Sequence, residues 1–402
     1  MSTNLSGKSV VLGVTGSIAA YKAADLTSRL VKEGARVNVI LSASAAKLIR
    51  PLTFAGLTHR QVITDLFEPT SEMGMDHITL AKQADLIIVA PCTANTVARI
   101  AHGEANDALT TTILATEAPV LIAPAGDAHM FVNETVLANI KLLRDQGHTV
   151  IGPMEGRLAS GLVGDGRLEE PERLIQFARQ ILGANGDYAG RKVIVTAGGT
   201  QEAIDPVRVI TNRSSGKMGY AMAEAARDRG AIVTLVTTPT SLSEPAGMEI
   251  INVVSTKDMR EAVLPLCAEA DLLAMPAAIS DFRPATVSDR KIKKGDLPEL
   301  SLTLEKNEDW LPLATGPNLV KVAFAAETEN LLVNAAEKLK SKGTQLIVAN
   351  DVSDPDAVFG ADTNTVTIID DSGGQESLPT MDKIDVANRI LDRAATYLSP
   401  RS

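Results

Sequence analysis

Short runs of β-branched and aliphatic residues, the first of each half closed by glycine, alternate along the chain with stretches whose apolar residues recur at helical spacing. Gly7-Lys-Ser-Val-Val-Leu-Gly-Val-Thr-Gly16 reads as a buried strand entering a tight turn. A helical pattern follows from Ala19, stops at Gly34, and gives way to the strand Val37–Leu41. Strand, helix, strand in this order predicts a parallel sheet with right-handed crossovers.

The second half repeats the plan. Gly190-Arg-Lys-Val-Ile-Val-Thr-Ala-Gly-Gly199 resembles the first strand, Gly230-Ala231-Ile-Val233 resembles Gly34-Ala35-Arg-Val37, and Ala270-Asp271 resembles Ala84-Asp85 ahead of another apolar run. Buried parallel strands draw on the same few residue types, so such echoes establish a shared architecture and not a common origin. Helices are predicted over Pro171–Leu182, Tyr220–Arg229 and Ile384–Leu398, and a turn or linker at Ala184-Asn185-Gly186-Asp187. The fold class is α/β: two tandem Rossmann-like domains, each a mainly parallel sheet flanked by helices, over residues 1–185 and 186–402. The halves differ between first strand and first helix, where the second carries an insertion, Gln201–Gly216. Ligands of open α/β sheets bind at the carboxyl ends of strands, so a long loop there points to function.

Composition narrows the partners. The chain has 402 residues, 39 Lys+Arg against 49 Asp+Glu and a net charge of −10, which argues against a nucleic-acid face. Aromatic residues are 3% of the total, too few for base-stacking platforms. No long apolar run predicts a membrane span, and Cys92 and Cys267 alone make no disulfide framework, so a cytoplasmic enzyme is expected.

Candidate chemistry gathers at strand ends. Gly13-Val-Thr-Gly16-Ser17-Ile18 opens a helix, where free N–H groups and close backbone approach suit a phosphate. Ser42 ends the next strand and offers a hydroxyl or a helix cap. Pro91-Cys92-Thr93-Ala94-Asn95-Thr96 presents small polar groups to a flat heterocycle, with Thr93 equally suited to capping a helix. Cys92, with no adjacent His or Lys, reads as a packed residue rather than a nucleophile. His77, at a helix start, is a candidate base or an electrostatic partner for a carboxylate.

In the second half, Asp205-Pro-Val-Arg208 and Asn212-Arg-Ser-Ser-Gly-Lys-Met-Gly219 combine oxyanion-holding groups with a helix start. Ala277 and Asp281 follow one strand and Phe324 ends another. Lys291-Ile-Lys-Lys294, Lys338 and Lys342 supply local positive charge suited to a triphosphate despite the acidic whole.

Together these motifs resemble two enzyme families in tandem. Asp205–Arg208, Asn212–Gly219, Lys291–Lys294, Phe324-Ala-Ala-Glu-Thr328 and Ala349-Asn350-Asp351 resemble phosphopantothenate–cysteine ligases. Gly16–Lys22, Asp76-His77 and Pro91–Thr96 resemble flavin-dependent phosphopantothenoylcysteine decarboxylases. The order is that of bacterial bifunctional coenzyme A biosynthesis proteins, and the resemblance spans essentially the whole chain.

The resemblance implies FMN held by Gly16, Ser17, Ile18, Ser42, Thr93, Ala94 and Asn95, with His77 assisting decarboxylation. For the ligase half it implies CTP as substrate with Mg²⁺, and an acyl-cytidylate attacked by the amine of cysteine. Asn212 would hold the acyl-cytidylate and Lys291 would serve the second step. Ala277, Asp281, Glu308, Asp309, Trp310, Leu311, Phe324, Lys338 and Lys342 fall at nucleotide positions, and the metal ligands stay unassigned. The resemblance further implies a homo-oligomer of trimeric flavin domains and dimeric ligase domains.

Two positions depart from the decarboxylase pattern. Asp127 stands where that family has an Asn that binds the substrate carboxylate, and Ser160 where it has a proton-donor Cys. In the ligase half Glu308 and Trp310 replace the usual Pro and Ile. An alternative reading therefore keeps the ligase and makes the flavin domain a scaffold or regulator. A more remote one, a nicotinamide-dependent oxidoreductase, lacks G-x-G-x-x-G.

Overall fold

The structure is a computed structural model, and it describes residues 4–66, 76–293, 299–327, 339–351 and 360–399. The chain forms two compact units, Met1–Leu182 and Gly183–Ser402.

The first unit is built on five parallel strands: β1 (Ser9–Val14), β2 (Arg36–Leu41), β3 (Leu86–Cys92), β4 (Val120–Pro124) and β5 (Thr149–Val150), in the order β2-β1-β3-β4-β5. Every residue of β1 and β3 is buried, as expected where helices cover both faces of a sheet. Side chains alternate between the two cores: Val10, Leu12 and Val14 face one, Val11 the other. Helix Ala20–Lys32 buries Ala20, Ala23, Leu26, Thr27 and Leu30, one stripe at helical spacing. Gly34 follows its end at φ +85°, a conformation that favours glycine. An antiparallel hairpin, β6 (Met154–Arg157) and β7 (Val163–Arg167), precedes the last helix, Pro171–Gly183.

The second unit is larger and its sheet is mixed. Its strands are β8 (Lys192–Ala197), β9 (Gln201–Ala203), β10 (Val209–Thr211), β11 (Ile232–Thr237), β12 (Glu249–Asn252), β13 (Leu272–Met275), β14 (Phe282–Pro284), β15 (Leu304–Lys306), β16 (Val320–Glu327), β17 (Leu346–Asp351), β18 (Thr363–Asn364), β19 (Val366–Asp370), β20 (Gln375–Ser377) and β21 (Met381–Asp382). Eight of them form one sheet in the order β12-β11-β8-β13-β16-β17-β19-β20, parallel from β12 to β17 and antiparallel at β19 and β20.

The insertion Gln201–Gly216 contains the small antiparallel pair β9–β10. The following helix spans Lys217–Arg227, starting earlier than its apolar pattern predicts. Gly216 ends the loop at φ +76°, and Gly219 lies inside the helix because a Cβ there would meet the Thr196 carbonyl at 2.6 Å. A glycine read as part of a helix start is thus also a packing residue that lets helix and strand touch. The last helix is Lys383–Ala395, ending short of the predicted Leu398.

Candidate active sites

In the first unit the strand order reverses between β1 and β3, which opens a crevice at their carboxyl ends. Thr15 ties the two ends together. Its N–H (3.1 Å) and hydroxyl (2.7 Å) both donate to the Pro91 carbonyl, and the hydroxyl oxygen accepts from the Thr93 N–H at 2.9 Å. Thr93 then caps helix Ala94–Ala101, accepting from the Thr96 N–H at 3.4 Å. Ser42 accepts from the Ala45 N–H at 3.2 Å and Ser17 from the Ala19 N–H at 3.3 Å. These hydroxyls thus accept local N–H groups at the strand ends. A Cβ on Gly16 would meet the Ser44 Cβ at 2.4 Å, so glycine is what lets the loop after β2 close against the turn after β1.

Gly16, Ser17, Ile18, Ser42, Thr93, Ala94 and Asn95 line one cavity of about 850 Å³. That volume is ordinary for a cofactor-sized ligand. Its small residues and hydroxyls fit a flat heterocycle carrying a phosphate. Asp127 and Ser160 line the same cavity. Asp127 follows β4, caps the short helix Ala128–Phe131 and accepts from the His129 N–H at 3.0 Å. The nearby Ser160 hydroxyl and the His129 N–H hold its carboxyl below the usual range. The loop of Asp127 and the hairpin of Ser160 are joined by Gly126 N–H to Gly166 carbonyl at 2.9 Å.

His77 is half-buried in helix Asp76–Gln83 and does not line the cavity. Cys92 is fully buried, and burial pushes its thiol up, away from reactivity. Sequence reading missed Arg99, Asp107, Arg157 and Arg167 on the cavity wall. Arg99 donates to Asp107 at 2.7 Å, across a loop that carries no motif.

In the second unit Asn212, Ala277, Asp281, Glu308, Asp309, Trp310, Leu311, Phe324 and Lys342 line one cavity of about 760 Å³. The walls come from the ends of β13 and β16 and from the segment after β15. Asn212 donates to the Ile279 carbonyl at 2.9 Å, fixing the insertion over the end of β13. The Ala277 N–H reaches the Thr196 hydroxyl at 3.2 Å. Asn307, which no sequence motif marks, donates to the Ser280 carbonyl at 2.8 Å and anchors the loop beside Asp281. Glu308 pairs with Arg260 at 3.0 Å, and Asp309 lies 3.9 Å from Lys342. Trp310 is 1% exposed and belongs to the core, so the large ring replaces an aliphatic residue as a buried wall.

Lys291 is exposed and does not line this cavity, and Lys294, Thr328 and Lys338 lie outside the described residues. The backbone beside Lys291 is nevertheless fixed. Buried Asp205 accepts the Ile292 N–H at 3.1 Å and those of Val207 and Arg208 at 2.8 Å each. Arg208 returns a bond to the Ile292 carbonyl at 2.7 Å. Burial raises the Asp205 carboxyl, but the three N–H donors and the guanidinium outweigh it and hold the group below its ordinary value. A smaller cavity at the start of helix Lys217–Arg227 collects Ser214, Ser215 and Lys217 with Asn350, Asn364 and Lys383. The last two come from far along the chain and carry no motif.

Two α/β units, each with a ligand-sized cavity at its strand ends, are the architecture of a two-site enzyme with a flavoprotein unit. Residues 1–183 match the family model described as flavoprotein, and residues 188–398 that described as DNA/pantothenate metabolism flavoprotein C-terminal domain. The chain belongs to the family of coenzyme A biosynthesis bifunctional proteins CoaBC. It is 47% identical to the member from Bacillus subtilis over 97% of both chains, and 42% identical to that from Vibrio vulnificus over 98% of this chain and 99% of the other. Among solved structures, the C-terminal domain of a CoaBC protein is 36% identical over 53% of this chain and 97% of that one, with a TM-score of 0.45. Among the described residues no helix is long and apolar enough to cross a membrane.

Proposed function

We propose that the chain catalyses two consecutive steps of coenzyme A biosynthesis: CTP-dependent ligation of 4′-phosphopantothenate to cysteine, then FMN-dependent decarboxylation of the product. The observation that carries this reading is the gathering of the expected positions into two cavities: seven flavin positions in the first unit and nine ligase positions in the second.

In the second unit a carboxylate needs activation before an amine attacks it. Asn212, fixed over the end of β13, would hold the activated acyl group. Asp281, Glu308, Asp309, Trp310, Leu311, Phe324 and Lys342 would surround the nucleotide, and Mg²⁺ would accompany its phosphates as part of the substrate. Among the described residues no cluster of three His, Cys, Asp or Glu is placed to hold a resident metal.

In the first unit the hydroxyls of Ser17, Ser42 and Thr93 would hold the FMN phosphate. Bound flavin supplies two-electron chemistry at its ring system. Neither His77 nor Lys291 lines the cavity of its own unit, which supports an assembly in which another copy delivers them. An assay with phosphopantothenate, cysteine, CTP and Mg²⁺, following each intermediate by mass, tests both halves. Absence of CTP-dependent coupling would refute the ligase, and absence of CO₂ release from phosphopantothenoylcysteine would refute the decarboxylase. Mixing inactive Asn212→Ala and Lys291→Gln proteins should restore ligation if the lysine comes from another copy.

A further inference from the structure

Four cationic side chains line the cavity of the first unit: Lys22, Arg99, Arg157 and Arg167. Three already have carboxylate partners, two of them sharing one. Lys22 donates to both carboxylate oxygens of Glu170 at 3.0 Å, Arg167 pairs with the same carboxylate, and Arg99 pairs with Asp107 at 2.7 Å. The side chain of Arg157 has no hydrogen bond or ion pair among the described residues. It ends β6, opposite Val163 of β7, where the hairpin turns. That turn is tight: Leu158 N–H donates to the Leu162 carbonyl at 2.8 Å and Gly161 N–H to the Leu158 carbonyl at 2.9 Å. The hairpin holds Arg157 and Ser160 on the wall of the cavity that Asp127 also lines.

A negatively charged ligand group entering this end of the cavity meets a carboxylate at Asp127. Two like charges repel unless a proton is shared. Asp127 already accepts the His129 N–H, and that bond with the nearby Ser160 hydroxyl favours its charged form. The guanidinium of Arg157 is the free group whose planar fork matches a carboxylate.

We infer that Arg157 is the specificity residue through which the first unit recognises the carboxylate of its substrate. The inference rests on the reading of that unit as a site for a carboxylate substrate beside FMN.

The test uses the full-length FMN-loaded protein and two inert ligands. One is S-methylated phosphopantothenoylcysteine, which keeps the carboxylate; the other is S-methylated phosphopantetheine, which lacks it. Neither has a free thiol to be oxidised, and binding is read from the perturbation of the flavin absorbance. The wild type should bind the carboxylate ligand more tightly. Arg157→Gln should weaken that ligand roughly 10-fold and leave the other unchanged. Arg157→Lys should recover part of the loss, and FMN affinity should not move. Equal weakening of both ligands would overturn the assignment, since the guanidinium would then serve their common phosphate. So would a fall in FMN affinity alone, which would put it on the flavin phosphate, or an unchanged preference in the Gln variant. A wild type that binds neither ligand while holding FMN would instead overturn the decarboxylase reading, and this inference with it.

Discussion

In the first unit the Gly7 N–H donates to the Gly34 carbonyl at 2.9 Å, and Asp85, just ahead of β3, takes the Ser9 N–H at 2.8 Å. In the second the Gly190 N–H donates to the Gly230 carbonyl at 3.1 Å, and Asp271, just ahead of β13, takes the Lys192 N–H at 2.8 Å. Each Asp also pairs with the basic residue one position earlier, Lys8 or Arg191. The lower corners of the two sheets are thus one design.

The upper ends differ. The first unit turns from β1 into its helix within a few residues and lines its cavity with hydroxyls from three strand ends. The second inserts a β-pair and pins it by Asp205 and Arg208 to the backbone of Ile292. The comparison separates two jobs. The corner fixes where a cavity opens, and the loops above it fix its charge and shape. The units also differ in strand order, β2-β1-β3-β4-β5 against β12-β11-β8-β13-β16-β17, yet the order reverses beside the first strand in both.

The sharpest way to separate the units is to crowd one helix against its strand. Gly219→Val places side-chain carbon against the Thr196 carbonyl and Ala197, where even a Cβ finds 2.6 Å. We expect a loss of about 3 kcal/mol in the second unit. Denaturant unfolding should show it, with FMN absorbance of the first unit unchanged. Gly16→Val should do the reverse, costing FMN binding while CTP-dependent ligation persists. Loss of both functions in either variant would show that the units do not act independently.

Next in size is Asn212→Ala. Loss of a donor to the activated acyl group should lower ligation kcat/KM about 100-fold, equivalent to about 2.7 kcal/mol. Melting temperature and flavin spectrum should stay as in the wild type.

The shared corner predicts a smaller, graded effect. Side chains of the Arg191–Asp271 pair are each 12% exposed, against 44% and 33% for Lys8–Asp85. Asp271→Ala should destabilise its unit by about 2 kcal/mol and Asp85→Ala by about 1 kcal/mol. Equal losses by thermal unfolding would mean that burial does not set the strength of this anchor.

The smallest effect is the acid response. Burial raises the carboxyls of Asp107 and Asp205. The Thr110 N–H and Arg99 outweigh it at Asp107, as three backbone N–H groups do at Asp205, so both lie below their ordinary value. Groups lowered on folding contribute stability that is whole above the unfolded value, near about 3.9, and fades as pH falls through the folded one. Melting temperature should therefore hold from pH 7 to about 5 and drop below about 4. Asp205→Asn should flatten the drop for the second unit alone, and a decline beginning near pH 6 would point to histidines instead.

Much of the flavin cavity was legible because its residues sit within a few positions of a strand end. Gly16, Ser42 and Thr93 follow β1, β2 and β3, and an open parallel sheet brings those ends together. The ligase cavity was legible for the same reason at Ala277, Asp281 and Phe324. Arg157 and Asn307 were missed because each reaches its cavity through a turn or loop that no local pattern marks. Lys383 was missed because it enters from the last helix. His77 and Lys291 were legible as chemistry but not as geometry: residue type names a base or a cation, while exposure and placement depend on elements that pack later. Helix Lys217–Arg227 begins before its apolar stripe, and the missing Cβ of Gly219 is what allows its contact with β8, which no local pattern shows.

By itself the sequence determined the alternation of buried strands and amphipathic helices, the glycines that end them, and the strand-end motifs that place this chain in its family. Those features follow from local backbone preference and from burial of apolar surface, both written in neighbouring residues. Tertiary structure alone decided that three of the four cations around the flavin cavity have carboxylate partners, that Asp127 and Ser160 line one cavity, and that Asp205 anchors the segment of Lys291. These are contacts between residues far apart in the chain, and charge acts through the distances that folding sets.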